Sequence, residues 1–306
     1  MDTMDEEPMM LEEHISKNKR LTIVLCIVMF AIFGSLIFFI SLLLIPGAPY
    51  VGVILGIIVG AVYIAATYSF SVKSVISAAK ARPADPRKRK EKLLIYKVEE
   101  MAIAAGLPVP YVYVQDSKDI NAFATGRNPD EAVICCTTGA LEKLETSELE
   151  GVMAHEMSHI QNYDIRVMTI TVGVVGAIAL IAEIMFWMFI FGGGRRGGRS
   201  GEANIILIVI AVLLIILAPL FSRMAYLAIS RRREYLADAS GAYLTRNPEG
   251  LASALERIKG NIPEDPKGSK TVAPLYIANP FKRALRDSMW STHPPIDERI
   301  KRLRSM

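Results

Sequence analysis

The sequence predicts an α-helical membrane protein with about four transmembrane helices and an α+β domain outside the bilayer. The 306-residue chain is 52% hydrophobic and its mean hydropathy is +0.32, which is too apolar for an ordinary soluble protein. Four apolar runs are long enough for helices that cross a bilayer, which need ~20 residues. A polar stretch with strand-like and helical patterns lies between the second and third runs. Membrane helices and a mixed domain are therefore expected in one chain.

The apolar runs pair into two helical hairpins. They cover Leu21–Ile45, Val51–Phe70, Met168–Phe191 and Ile205–Ile229. The predicted regions are an N-terminal tail at 1–20, a hairpin at 21–70, the first part of the soluble domain at 71–167, a second hairpin at 168–229, and the second part at 230–306. Whether the second hairpin fully crosses the bilayer or only dips into it stays open at this point.

The distribution of basic residues predicts which side the soluble parts occupy. Four spans leave both termini and the stretch after span two on the same side. Lys and Arg are dense before span one, after span two and after span four, and such residues favour the cytoplasm. Arg195, Arg196 and Arg199 in the loop Gly192–Asn204 argue the other way but are outnumbered. We expect a multi-pass protein of the cell membrane with its soluble domain and both termini in the cytoplasm.

The soluble domain is expected to combine a small sheet with helices. An amphipathic helix at Leu93–Ala105 ends at Gly106. Predicted strands cover Tyr111–Val114, Ala122–Thr125 and Ala132–Thr137. A helix follows, with Ser147 and Glu150 in the spacing of a capping box. Further helices are expected from Asn247-Pro248 to about Lys259 and after Pro294-Pro295.

Charge and cysteine content exclude some classes. The net charge is +4, but the basic residues lie beside the apolar runs, which is typical of membrane-flanking charge rather than of a nucleic-acid surface. Three cysteines provide no disulfide framework. Cys135 and Cys136 are adjacent on a predicted strand, so they face opposite sides and are expected to be packing residues.

The strongest motif is His155-Glu156-Met157-Ser158-His159 on the helix after the sheet. Residues four apart share one helix face, so both imidazoles can reach one metal ion. Glu156 lies beside them as a candidate base for a water molecule. Zinc in catalytic sites takes such ligands and keeps an open position. Five residues can also match by chance, and cobalt or manganese could replace zinc in vitro.

A second acidic pair follows the fourth apolar run. Glu234 is the candidate third ligand, and Asp238 lies one helical turn further on, where a carboxylate can orient a ligand imidazole. A membrane hairpin returns the chain to the place it left, so these residues can meet His155 and His159. A solvated helix face with arginine partners is an equally good interpretation of the spacing.

These motifs together resemble a known family. The block from His155 to Asp164, the stretch Glu234–Asp238, the stretch Ser291–Pro295 and the stretch Asn121–Gly126 are similar to the HtpX heat-shock membrane metalloproteases. These are gluzincins, related to the CAAX prenyl endopeptidases. The resemblance runs from about residue 71 to the C-terminus.

The resemblance implies a gluzincin-like zinc metalloprotease domain with one Zn²⁺ per chain. It implies that His155, His159 and Glu234 hold the ion, that Glu156 is the general base and acid, and that Asp238 orients a histidine. It also implies a substrate-binding strand edge. That edge comprises Asn121, Ala122, Phe123 and Ala124.

Three further residues have open roles. His293 could stabilise the oxyanion, or it could serve in capping or packing ahead of the two prolines. Asp164 is expected to hold the end of the active-site helix. Glu183 in the third apolar run is expected to face the helix bundle or water, although a proton-relay role is an alternative.

The leading functional prediction is a membrane-bound zinc endopeptidase that hydrolyses misfolded or damaged proteins, including membrane proteins, at the cytoplasmic face, as part of stress response and protein quality control. The degradative role comes from the resemblance. Its partners would be unfolded protein substrates and the lipid bilayer, with no nucleic acid, and the oligomeric state is open. A narrow processing protease of the CAAX type and a non-catalytic zinc-binding scaffold are the alternatives. Glu156 favours catalysis, because a structural zinc site needs no base.

Overall fold

The computed structural model describes residues 16, 18–24, 27, 49–170, 231–261, 272–278 and 294–306. The chain divides into two compact units. One comprises residues 1–22, 70–169 and 228–306, and the other comprises residues 23–69 and 170–227. The motif residues discussed below belong to the first unit.

The described elements follow one another as helices around a small sheet. The helices are α1 (Pro49–Ala79), α2 (Arg89–Ala105), α3 (Thr138–Lys143), α4 (Thr146–Gln161), α5 (Arg231–Thr245), α6 (Pro248–Gly260) and α7 (Ile296–Leu303). The strands are β1 (Ala81–Pro83), β2 (Tyr111–Gln115), β3 (Ala122–Thr125) and β4 (Val133–Thr137). Two 3-10 turns cover Pro129–Glu131 and Ala273–Leu275. The sequence predicted β2 to β4 and the positions of α2, α4, α6 and α7 to within a few residues.

Within the described residues the sheet has the strand order β1-β2-β4-β3. β2 and β4 are parallel, while β1 and β3 run antiparallel to their neighbours. β4 is buried along its whole length, including Cys135 and Cys136. The sequence analysis did not predict β1, a three-residue strand that ends at Pro83. An edge strand tolerates proline, since its outer N–H needs no partner.

Helix α4 occupies the centre of the first unit and packs against α2, α5 and α6. From Gly151 to Ile160 every residue is buried. Its neighbours come close at two glycines: a Cβ on Gly151 would lie 2.6 Å from the backbone N of Leu251 in α6, and one on Gly241 of α5 would lie 3.0 Å from the backbone N of His155. These close approaches bring α5 and α6 onto the helix that carries the histidines.

The start of α4 differs from the prediction by two residues. Glu145 rather than Ser147 is the N-cap, and its backbone N–H donates to the Glu148 carboxylate at 2.8 Å. Arg257 of α6 donates to the same carboxylate at 2.6 Å. The tertiary ion pair holds Glu148 in place and thereby selects this capping box over the one at Ser147.

The membrane predictions fall partly outside the described residues. Most of Leu21–Ile45, nearly all of Met168–Phe191 and all of Ile205–Ile229 lie outside them, as do Glu183 and the loop Gly192–Asn204. The predicted second span lies within α1. Among the described helices, none is both long enough and apolar enough to cross a membrane.

One part of the predicted tail is ordered against the first unit. Residues 18–24, called here the N-terminal segment, are helical. Asn18 and Thr22 in this segment are buried. The side chain of Asn18 has hydrogen-bond partners 144 and 146 residues away in the sequence.

Candidate metal centre and active site

Helix α4 presents its two histidines to one point. His155 and His159 are one turn apart and both are buried. Their Nε2 atoms lie 3.2 Å apart, with the rings nearly perpendicular. The predicted convergence of the two imidazoles is therefore observed.

Glu234, in the first turn of α5, completes the cluster. Its Oε1 lies 3.7 Å from His159 Nε2, and its Oε2 lies 4.0 Å from His155 Nε2. The three potential ligand atoms all lie within 4.8 Å of one another. The alternative of a solvated helix face does not apply, because the Glu234 side chain is only 1% exposed.

The dimensions of this cluster fit a tetrahedral metal ion. Two nitrogen ligands held at about 2.0–2.1 Å from such an ion would be roughly 3.3 Å apart, close to the 3.2 Å observed. Each ring also turns its Nδ1 away from the cluster, toward a carboxylate 3.0 Å distant: Asp238 for His155 and Asp164 for His159. Only the His159–Asp164 pair has hydrogen-bond geometry, and an ionised carboxylate only accepts, so in the neutral imidazole of His159 the proton belongs on Nδ1 and the Nε2 lone pair is left for the cluster. That tautomer is the one a metal ligand requires.

Glu156 lies next to the cluster on the same helix. It is 1% exposed, and no side chain that the structure describes donates a hydrogen bond to either carboxylate oxygen. Burial raises its pKa to about 7. A buried carboxylate whose pKa is close to neutral can both take and release a proton, as a general base and acid must.

The charges around the histidines set the other pKa values of the metal-free protein. Burial lowers the pKa of His155. Burial also opposes protonation of His159, but the hydrogen bond with Asp164 and the charge of Glu234 raise its pKa to about 9. Burial alone would raise the pKa of Asp238, but the ion pair with Arg299 lowers that pKa to about 2. Asp238 is thus held as a carboxylate.

The sequence analysis missed Arg299 of α7. This side chain is fully buried, and its Nε and Nη2 donate to the two oxygens of Asp238 at 2.8 and 2.7 Å. Its Nη1 also lies 3.5 Å from Glu234. A signal was present in the sequence: Ile296, Ile300 and Leu303 form an apolar helix stripe, and Arg299 lies on it. A charged residue on the apolar face of a helix indicates a buried partner.

Asn18 and Arg233 were missed as well. Both contact Asp164: Asn18 Nδ2 donates to Oδ1 at 2.8 Å, and Arg233 Nη1 lies 3.5 Å from the same oxygen. No pattern in the sequence points to Asn18, because its partners lie far away along the chain. Arg233 directly precedes Glu234, which is the signal that could have drawn attention to it.

The predicted substrate edge is β3. Asn121 directly precedes β3, and its backbone oxygen accepts from the N–H of Thr137 at the end of β4. By the alternation of antiparallel strands, the backbone groups of Ala122 and Ala124 therefore point away from β4. The N–H of Ile277 already donates to Ala122 O at 3.0 Å, and the Asn121 amide donates to Ala278 O at 2.7 Å. Ala124 lies beside Glu156, where its backbone amide acts to lower the pKa of that carboxylate.

Of the remaining predicted site residues, the structure describes Phe123 and Asp164 but not His293. Phe123 is buried against Tyr276, with ring centroids 5.2 Å apart. Asp164 contacts the cluster indirectly, because its carboxylate is hydrogen-bonded to His159. His293 lies outside the described residues, so its proposed role stays a prediction.

Buried histidine and glutamate ligands beside a buried carboxylate whose pKa is near neutral are the arrangement found in zinc metalloproteases, which hydrolyse peptide bonds. Comparison with known proteins identifies the family within this class. Residues 88–306 match the model of peptidase family M48, and the chain belongs to that family. The prediction of a metalloprotease of the HtpX type is confirmed.

Relatives named "Protease HtpX homolog" match most of the chain. One from Streptococcus uberis is 41% identical over 300 residues, covering 97% of this chain and 100% of that protein. One from Tropheryma whipplei is 47% identical over 209 residues, covering 68% of this chain and 70% of that protein. Among solved structures, S. mikatae Ste24p is similar in fold, with a TM-score of 0.50 and 20% identity over 95% of this chain and 66% of that chain.

Proposed function

We propose that this protein is a membrane-bound zinc endopeptidase that hydrolyses unfolded or damaged proteins, including membrane proteins, at the cytoplasmic face. The observation that carries the proposal is the cluster of His155, His159 and Glu234 with the buried Glu156 carboxylate beside it. A structural zinc site would fill its fourth position with another protein ligand and would need no such base.

The proposed roles follow from the positions of the side chains. His155, His159 and Glu234 would hold one Zn²⁺, which when bound supplies Lewis acidity and a water pKa near neutrality. Glu156 would take a proton from the attacking water and pass it to the leaving amine. Its pKa of about 7 suits both transfers. Asp238 and Asp164 would keep each imidazole in the tautomer that leaves Nε2 free.

The edge of β3 is suited to bind a substrate in an extended conformation. Backbone pairing to a strand edge is largely independent of side chains, so it suits substrates of many sequences. Asn121 and Ala122 already pair with the chain's own Ile277 and Ala278, which leaves the outward backbone groups of Ala124 as the proposed contact nearest to Glu156. An unfolded polypeptide can offer an extended strand there, whereas a folded protein rarely can.

Membrane attachment is supported by the apolar runs of the sequence and by the surface of α1. Large apolar side chains of this helix are exposed, among them Val53, Ile54, Ile57, Ile58 and Val62. A contiguous apolar surface of this kind is typical of contact with lipid or protein. The excess of Lys and Arg beside the apolar runs supports a cytoplasmic site.

The test compares detergent-purified wild type with Glu156→Gln and with the control Glu150→Gln on the same helix. Zinc content and cleavage of unfolded casein are measured for all three. We expect Glu156→Gln to retain zinc and to lose at least about 100-fold in cleavage rate, as is typical for loss of a general base. Glu150→Gln should behave as wild type, since Glu150 pairs with Lys97 away from the cluster.

Other results would favour the alternatives. Zinc in the wild type without casein cleavage would favour a narrow processing protease or a zinc-binding scaffold. Wild type without zinc after reconstitution would contradict the proposed metal centre.

A further inference from the structure

Asn18 is a buried side chain whose amide nitrogen and amide oxygen both have hydrogen-bond partners. Its Nδ2 donates to Asp164 Oδ1 at 2.8 Å and to the backbone oxygen of Asn162 at 2.9 Å. Its Oδ1 accepts from Arg233 Nη1 at 3.2 Å. An amide with two donors and an acceptor that all find partners is held in one orientation.

The rest of the N-terminal segment is attached to the same place. Thr22 Oγ1 donates to the backbone oxygen of Asn18 at 3.0 Å, which secures the helix that carries Asn18. The ammonium of Lys19 lies 4.9 Å from the centre of the Tyr163 ring. Tyr163 has a φ of 59°, which is uncommon for a residue other than glycine. The N-terminal segment therefore covers the turn that follows α4.

That turn carries Asp164, and Asp164 contacts a candidate metal ligand. One of its oxygens, Oδ2, lies 3.0 Å from His159 Nδ1, while Oδ1 takes the hydrogen bond from Asn18. The Asn18 amide thus fixes the rotation of the carboxylate that orients the imidazole. Arg233 joins the same group from the residue before Glu234, so Asn18 lies between the ends of both ligand-bearing helices.

From these contacts we infer that Asn18 is a positioning residue for the metal centre and that the N-terminal segment is part of that centre. The inference rests on the proposed metal-dependent function. Asn18 acts through Asp164 on His159 and does not touch the cluster itself. Its loss lets the Asp164 carboxylate rotate, so the imidazole loses its fixed orientation and binds metal more weakly.

The experiment uses the full-length protein in detergent, with zinc affinity measured by chelator competition and the ligand field measured from the absorption bands of the Co²⁺-loaded protein. Asn18→Ala removes all three hydrogen bonds. Asn18→Asp has the same size and keeps an acceptor for Arg233, but it loses both donors. We expect each variant to bind zinc about tenfold more weakly, at the lower end of the range for groups that orient a ligand, and to alter the Co²⁺ bands.

A control variant separates positioning from stability. Asn247→Ala removes the amide oxygen that accepts from Gly250 N at the start of α6. It should lower the unfolding temperature of the metal-free protein and leave zinc affinity and the Co²⁺ bands unchanged.

The inference is overturned if both Asn18 variants bind zinc as wild type does, or if Asn247→Ala weakens binding as much as they do. Failure of the proposed function is a different result, since wild type itself would then bind no zinc.

Discussion

Both candidate histidine ligands have a carboxylate beside Nδ1, but the two carboxylates are held in place by different chemistry. Each Nδ1 lies 3.0 Å from a carboxylate. The His155 support is Asp238, held by two hydrogen bonds from the fully buried Arg299. The His159 support is Asp164, held by the neutral amide of Asn18, with Arg233 at 3.5 Å. One support is a buried ion pair, and the other is chiefly a neutral hydrogen bond.

The difference shows in the two imidazoles. Beside a neutralised carboxylate, burial dominates and lowers the pKa of His155. Beside Asp164, the negative charge is less compensated, and the pKa of His159 is raised to about 9. The two supports therefore have opposite electrostatic consequences. The His155 support should be the more costly one to break, because it leaves a charge behind in the interior.

The largest effect is expected from Asp238→Ala, which leaves Arg299 buried without its main partner. We expect the free energy of unfolding to fall by about 3–5 kcal/mol and zinc affinity by about 10- to 100-fold. Chemical denaturation of the metal-free protein and chelator competition measure the two quantities.

A double variant sharpens this prediction. Asp238→Leu with Arg299→Met replaces the ion pair by apolar side chains, so it should recover much of the stability but none of the zinc affinity. Recovery of both would mean that Asp238 contributes only to stability.

A smaller effect is expected from Asp164→Asn in the His159 support. Arg233 is not fully buried, so water can solvate it when the carboxylate is lost. We expect a loss of about 2 kcal/mol in unfolding free energy and about tenfold in zinc affinity, measured as for Asp238. A loss of stability equal to that of Asp238→Ala would contradict the proposed difference between the two supports.

The smallest effect is expected from a carboxylate–arginine pair outside the site. The Glu91 carboxylate accepts two hydrogen bonds from Arg82, each 2.8 Å long. This interaction lowers the pKa of Glu91 from its usual 4.5 to about 2. A depressed pKa contributes stability above pH 4.5, and that contribution is lost as the pH falls from 4.5 toward 2. Because the Arg82 side chain is 35% exposed, solvent screening reduces the contribution to about 1 kcal/mol.

The measurement compares unfolding temperatures of wild type and Glu91→Gln at pH 6 and at lower pH. The difference between the two proteins should be present at pH 6 and shrink on acidification. The exposed Glu142→Gln serves as the control. A difference that does not depend on pH would show that the pair does not stabilise the protein through its charge.

The sequence by itself determined much of the candidate site. The helical spacing of His155, Glu156 and His159 placed these side chains side by side. The position of Glu234 and Asp238 after the second predicted hairpin indicated that they could lie near the histidines. Local rules sufficed there, because residues four apart on a helix always share a face. The end of α2 at Gly106 followed in the same way, with a left-handed φ of 66°.

Only the tertiary structure decided which groups support the ligands. Arg299 reaches Asp238 across 61 residues and Asn18 reaches Asp164 across 146 residues. The apolar stripe of α7 indicates that Arg299 has a buried partner, but it does not identify that partner, and Asn18 has no such signal. Likewise, the choice of Glu148 over Glu150 in the capping box depended on Arg257 from another helix. A local pattern predicts the face of a helix or strand on which a residue lies. A buried polar group, however, finds its partner only when distant elements pack together, and that partner offsets the free-energy cost of removing the group from water.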